Sequence, residues 1–108
     1  MGISKELLKG STATLILQLL ERKAMYGYEM IKEMERSSGG VFLFKEGTLY
    51  PILHSLELNE MVEAYWEDGA GTRQRKYYRL TEKGRGHLAE KKEEWMVFRT
   101  AVERVVVS

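Results

Sequence analysis

Apolar positions early in the chain return at helical spacing. Leu8, Leu15, Ile16, Leu19 and Leu20 predict one amphipathic helix over residues 5–22. A second helix is predicted over about Tyr26 to Arg36, with Ile31 and Met34 inward, and Ser37-Ser38-Gly39-Gly40 ends it. Val41-Phe42-Leu43-Phe44 is a short apolar run that reads as a brief strand or a buried connector. A third helix follows from Glu46 to near Asn59, with Leu49, Leu53 and Leu56 on one face. Its other face carries Thr48, Tyr50, His54 and Ser55, hydrogen-bonding groups rather than charges. From Val62 to Trp66 the period changes to two, with Val62, Ala64 and Trp66 opposite Glu63 and Tyr65. Glu67-Asp68-Gly69-Ala70-Gly71-Thr72 is turn chemistry, and Arg75 to Leu80 alternates again. These two segments predict a β-hairpin. Thr81 is then an N-cap for a final helix.

In that last helix Leu88, Lys91, Trp95, Phe98, Val102 and Val105 are spaced 3-4-3-4-3, the a/d pattern of a helix lying along a partner helix. The alternative is that the helix folds back on its own domain. A dimer is the favoured expectation, because little domain remains to cover Trp95 and Phe98. A length of 108 residues allows one compact domain with a modest core. The expected division is 1–81 for the helices and hairpin and 82–108 for a dimerisation helix.

Charge changes the picture more than composition does. The net charge is only +1, but it is unevenly spread. Between Gly69 and Gly86, Arg73, Arg75, Lys76, Arg79, Lys83 and Arg85 face Glu82 alone, a local net of +5. Between Glu46 and Asp68 there are six acidic residues and no Lys or Arg. Helix, helix, helix, hairpin, helix is a winged helix-turn-helix order, α+β and mostly α. In that arrangement the third helix lies in the major groove and the hairpin wing brings cations to phosphates. The alternative for the basic hairpin is a solvated turn. Four cations within residues 73–79, interleaved with Tyr77 and Tyr78, favour double-stranded DNA.

GTLYPILHSLE (residues 47–57) together with VEAYWEDGAGTRQRKYYRLTEKGR (62–85) is similar to the signature of the PadR family of bacterial transcriptional regulators. LLKGSTATLILQLLERKAMYGYEMIKEMERSSGGVF (7–42) resembles the family's first two helices and connector, so the likeness covers about residues 5–98. The single terminal helix resembles the compact branch of that family. The resemblance implies a homodimer held by this helix, repression of detoxification, efflux or phenolic-acid genes, and release of the operator on binding a small effector. It also implies that Thr48 and Tyr50 contact DNA, Thr48 doubling as a helix cap. If the helix starts at Thr48, Pro51 falls in its first turn, where N–H groups lack intrahelical partners. Lys45, His54, Ser55, Arg73, Arg75, Lys76 and Tyr77 complete the expected DNA-binding set. For Tyr50 the alternative is a half-buried packing ring; for His54 it is simple exposure to solvent.

Two departures from the family pattern stand out. Ser55 and Leu58 occupy positions where a basic residue is usual, so this helix lacks the Arg that most commonly recognises guanine. Glu60 stands where a glycine often ends the helix. Trp95 follows Glu93-Glu94 as in members where a tryptophan lines a cavity between subunits, which implies an effector or dimer site formed by Trp95, Phe98, Leu88 and Val102. The alternative for Trp95 is a purely apolar interface role.

Other functions find little support. There is no cysteine, only two histidines (His54 and His87) and one aspartate (Asp68), and no HExxH, P-loop or GxSxG motif. An enzyme, a metal site and a cofactor are therefore not expected. The better rival is a winged-helix module for protein–protein contact without sequence-specific DNA binding. The absence of cysteine, of a signal-like apolar run and of a membrane-spanning stretch leads to the expectation of a cytoplasmic protein.

Overall fold

The computed structural model describes residues 5–69, 71 and 73–107. Among them the order is α1 (Lys5–Lys9), α2 (Thr12–Arg22), β1 (Met25–Tyr26), α3 (Gly27–Ser37), α4 (Glu46–Leu58), β2 (Val62–Asp68), β3 (Gln74–Leu80) and α5 (Glu82–Val106). This is the mostly helical winged arrangement that the pattern predicts, with three corrections.

The helix expected over residues 5–22 is two helices. The Ser11 N–H turns back to the Leu8 carbonyl at 2.9 Å, and the buried Thr12 hydroxyl donates to the same carbonyl at 3.2 Å. Gly10 disfavours a continuous helix by about 1 kcal/mol, and the Ser11 side chain makes no cap hydrogen bond to α2. Second, the sheet has three strands, not two. Met25 and Tyr26 pair antiparallel with Tyr78 and Tyr77, giving the order β1-β3-β2. A two-residue strand has no periodicity to read. Third, α4 begins at Glu46, so Thr48 is its third residue and not its cap. The carbonyl of Lys45 receives the N–H groups of Thr48 and Leu49, each at 3.0 Å, and no side chain caps the helix. Pro51 therefore lies inside the helix and cannot donate to the carbonyl of Gly47, four residues back. Both residues are exposed, so no backbone group is buried without a partner there. Val41–Phe44 is a connector rather than a strand, with Phe44 in the core.

The core is built from Ile16, Leu17, Leu19 and Leu20 of α2, Met25, Met30, Met34, and Leu49, Leu53 and Leu56 of α4. Val62, Tyr78, Leu80 and Leu88 close it from the sheet and α5. Ile31, expected inward, is partly buried at its edge, while Met30 takes the fully buried place. Register Val62↔Leu80 to Asp68↔Gln74 extends β2 two residues beyond Trp66. Gly69 and Gly71 follow, and the Gly69 N–H reaches the Arg73 carbonyl at 3.0 Å. Ala70 and Thr72 of the expected turn lie outside the described residues.

Two helices end in the same hydrogen-bonded motif with different residues at its left-handed position. After α3, the Gly40 N–H bonds to the Glu35 carbonyl and the Gly39 N–H to the Arg36 carbonyl, with Gly39 at φ +65°. After α4, the Met61 N–H bonds to the Leu56 carbonyl and the Glu60 N–H to the Glu57 carbonyl, with Glu60 at φ 60°. Both are Schellman caps. The residue that stands in place of a glycine thus adopts the glycine conformation, at a cost of about 1 kcal/mol. Glu60 also borders a cleft lined by Glu57, Glu63, Glu82 and Lys83. Glu60→Gly is expected to stabilise the fold by about 1 kcal/mol in urea unfolding. Lower or unchanged stability would show that the Glu60 side chain makes compensating contacts.

Candidate nucleic-acid interface

Burial of Leu49, Leu53 and Leu56 turns the opposite side of α4 outward. Gly47, Pro51, His54 and Leu58, spaced 4-3-4, form an exposed stripe there. Thr48 and Ser55 are exposed on one flank, and Thr48 borders a cleft with Leu43, Lys45 and Ile52. Lys45, just before the helix, is exposed beside them. The other flank, Tyr50 and Glu57, faces the hairpin.

Tyr50 is half packed. Its ring lies over Gly27 at the start of α3, where an added Cβ would sit 2.2 Å from the tyrosine oxygen. It shares a cleft with Tyr26, Trp66, Arg75, Lys76 and Tyr78. Burial, and then the nearby Glu46 carboxylate, raises the Tyr50 pKa, so the phenol stays neutral and able to donate. Tyr50 is thus partly the packing ring of the alternative reading, with an exposed remainder on the candidate surface.

Strand alternation divides the cations of the hairpin. Lys76 shares the core-side face of the sheet with Val62, Ala64 and Trp66, and this aims it at α4. Its ammonium lies 3.6 Å from Glu57 and 5.4 Å from the centre of the Tyr78 ring. Arg75, Tyr77 and Arg79 alternate onto the outer face. The Arg75 guanidinium sits 4.5 Å above the Tyr26 ring. Tyr26 meets Tyr77 edge-on with centroids 5.5 Å apart, and Tyr77 stacks on Tyr65 at 5.7 Å. Arg79 covers Tyr65 at 5.0 Å and bonds to Glu63 at 2.7 Å. Tyr77, expected at the DNA surface, is the middle ring of this ladder. Arg73 is exposed at the hairpin end.

Of the +5 read from the sequence, two charges are matched locally, Lys76 by Glu57 and Arg79 by Glu63, which leaves the hairpin and the start of α5 cationic. Sequence reasoning missed Gly27, Tyr26 and Glu57. Their partners lie on other elements, Tyr50 for Gly27, Arg75 and Tyr77 for Tyr26 and Lys76 for Glu57, so no local pattern marks them.

The second candidate site lies between α5 and the start of α2. Leu88 is fully buried, and Lys92 pairs with Glu21 of α2 at 3.8 Å. Beyond that, Phe98 and Val102 are exposed, and Trp95 is 45% exposed beneath Arg99. Trp95 and Phe98, with Lys91 and Glu94, border a cleft of about 450 Å³ against Leu7, Gly10, Ser11 and Thr14. The break between α1 and α2 thus forms one wall. Leu88 belongs to the core and not to this cleft.

Gly27→Ala is expected to displace the Tyr50 ring and destabilise the fold by roughly 1–3 kcal/mol. In the Gly27→Ala/Tyr50→Ala double variant the glycine change should cost less than it does alone. Additive losses in urea unfolding would contradict the close approach.

The model of the PadR-like family of transcriptional regulators matches residues 16–90. An uncharacterised protein from Lysinibacillus sphaericus is 37% identical over 93 residues, 86% of this chain and 85% of its own. The transcriptional regulator YqjI of Escherichia coli is 32% identical over 79% of this chain, which spans 39% of that longer protein. A solved transcriptional regulator from Clostridium thermocellum superposes with a TM-score of 0.86 at 31% identity, covering 94% of this chain and 98% of its own. A PadR-like regulator from Bacillus cereus superposes at 0.84 with 27% identity, over 95% and 98% of the two chains.

Proposed function

Because the chain belongs to the PadR-like family of transcriptional regulators, we propose that it binds double-stranded operator DNA as a homodimer and represses transcription until a small effector releases it. The observation that carries this reading is the exposed stripe of α4 lying beside a cationic hairpin. α4 enters the major groove with Thr48, His54 and Ser55 near base edges, and Lys45, Arg73, Arg75 and Lys76 approach phosphates on either side. Tyr50 reaches the same surface with its exposed edge. Tyr77 acts through the ring ladder that stiffens the wing.

The dimer rests on α5. About 27 Å of helix extends beyond Leu88, and it displays Trp95, Phe98, Val102 and Val105 to solvent in a single protomer. Exposed apolar surface of this extent marks an association site. Residues 82–108 act as the dimerisation segment in this reading, although the first turns of α5 pack with residues 1–81. The Trp95 cleft suits a planar aromatic effector, which would stack on the indole. No helix among the described residues is long and apolar enough to cross a membrane, in keeping with a cytoplasmic regulator.

The internal ion pairs of the wing favour one rival, a winged-helix module for protein partners. Salt dependence separates the two. Binding of the dimer to its own promoter fragment is expected to weaken with salt at a log–log slope of about −4 or steeper, equivalent to roughly four or more phosphates neutralised. A flat slope, or no binding at low salt, favours the protein-binding module. Arg75→Ala with Lys76→Ala should weaken binding to all duplexes by a similar factor and flatten the slope. A loss confined to one operator would contradict a phosphate role.

Trp95→Ala is expected to weaken the dimer by roughly 2 kcal/mol, about thirtyfold in Kd, when followed by sedimentation equilibrium. An unchanged dimer whose DNA release by planar aromatic compounds is also unchanged would remove Trp95 from both roles.

A further inference from the structure

We propose that the exposed stripe of α4 reads thymine through its 5-methyl group, with Pro51 and Leu58 as the specificity-determining contacts. This rests on the placement of α4 in the major groove proposed above and goes further, to the base class recognised. The stripe Gly47–Pro51–His54–Leu58 has an unusual make-up for a helix that meets nucleic acid. It holds no Lys, Arg, Asp or Glu, and Leu58 is 71% exposed although three other leucines of the same helix are in the core. The charged side chains of α4 lie elsewhere. Glu57 is turned to Lys76, and Glu46 opens the helix near Tyr50.

The major-groove edges of the bases differ in what they require. Guanine offers two acceptors and cytosine a donor, whereas thymine offers one acceptor and the only apolar group, its methyl. Pro51 and Leu58 have no side-chain donor or acceptor. Pressed against a G·C pair, they would strip water from polar edges and return nothing, which disfavours that pair. Pressed against thymine, they bury a methyl group against carbon at favourable cost. His54, between them on the stripe, is its one side-chain hydrogen-bonding group and can reach a neighbouring purine N7. Wing cations hold the backbone without regard to sequence, so discrimination falls to α4, where the apolar contacts of this stripe stand beside the hydroxyls of Thr48 and Ser55. Leu58 is 71% exposed on this stripe, so an apolar side chain is presented to whatever base lies opposite it.

The test uses full-length protein and duplexes recovered by repeated selection from a random pool. The bound sequences should share thymines at fixed positions in each half-site. The best duplex is then resynthesised with deoxyuridine for thymidine at each such position, which removes the methyl and leaves pairing intact. Affinity should fall about three- to fivefold per methyl lost. Leu58→Ala, at an exposed position that the fold tolerates, should abolish the effect at one position per half-site and leave the others. Leu58→Arg should move the selected base there to guanine. Equal affinity for thymidine and deoxyuridine duplexes, with binding intact, overturns this inference alone. No binding to any duplex overturns the placement of α4 in DNA, and this inference with it.

Discussion

Three segments of the chain meet at Thr81, and the position of α4 relative to the wing depends on that junction. The Thr81 hydroxyl lies 2.7 Å from the carbonyl of Glu60, to which it donates, and 3.1 Å from that of Met61. The same oxygen accepts the Gly84 N–H at 3.0 Å, and the Thr81 N–H bonds to the Met61 carbonyl at 3.1 Å. One residue thus caps α5, anchors the turn that leaves α4, and closes the open end of the hairpin. Gly84 completes the junction. A Cβ there would lie 2.0 Å from the Met61 carbonyl, so only glycine lets the first turn of α5 approach this closely. The left-handed Glu60 is the strained part of the same arrangement, held because both of its neighbours are fixed by hydrogen bonds.

From this junction the hairpin projects beside α4, and the charges are arranged by the pleat. Lys76 faces the helix and meets Glu57, whereas Arg75 and Arg79 lie on aromatic rings of the outer face. Exposed pairs of this kind contribute little to stability, typically under about 1 kcal/mol. Their effect is on placement: they hold the long side chains of the wing in defined positions and reduce its net field. A DNA phosphate approaching Lys76 or Arg79 competes with a carboxylate already in place. In the proposed complex this competition would weaken the nonspecific component of binding and leave a larger share of discrimination to α4.

The two candidate surfaces lie on different parts of the molecule and are joined by α2 and α5. α2 packs on α5 and on the sheet, and Lys92–Glu21 ties the two helices at the level of the Trp95 cleft. The break at Gly10–Ser11 forms a wall of that cleft. A ligand wedged beside Trp95 would bear on α2, and α2 bears on the sheet that carries the wing. These contacts make a contiguous packed path from the Trp95 cleft through α2 to the sheet.

Much of the fold was legible in the residues alone. Helical spacing located α3, α4 and α5, period-two alternation located the hairpin, and Thr81 announced the last helix, because each signal is local and repeats over several residues. The apolar face of α4 was also legible, since Leu49, Leu53 and Leu56 mark a core side whatever they pack against. What tertiary structure alone decided involves partners distant in the chain. β1 exists because β3 offers it an edge. Tyr50 is half buried because Gly27 leaves it room, Tyr77 is a structural ring because Tyr26 and Tyr65 flank it, and the wing is less positive than its count because Glu57 and Glu63 come beside it. The sequence by itself determined which elements form and which faces are apolar, because backbone geometry and hydrophobic period act over a few residues. Only the packed structure decided which side chains remain available to a partner, because availability depends on contacts between residues far apart in sequence.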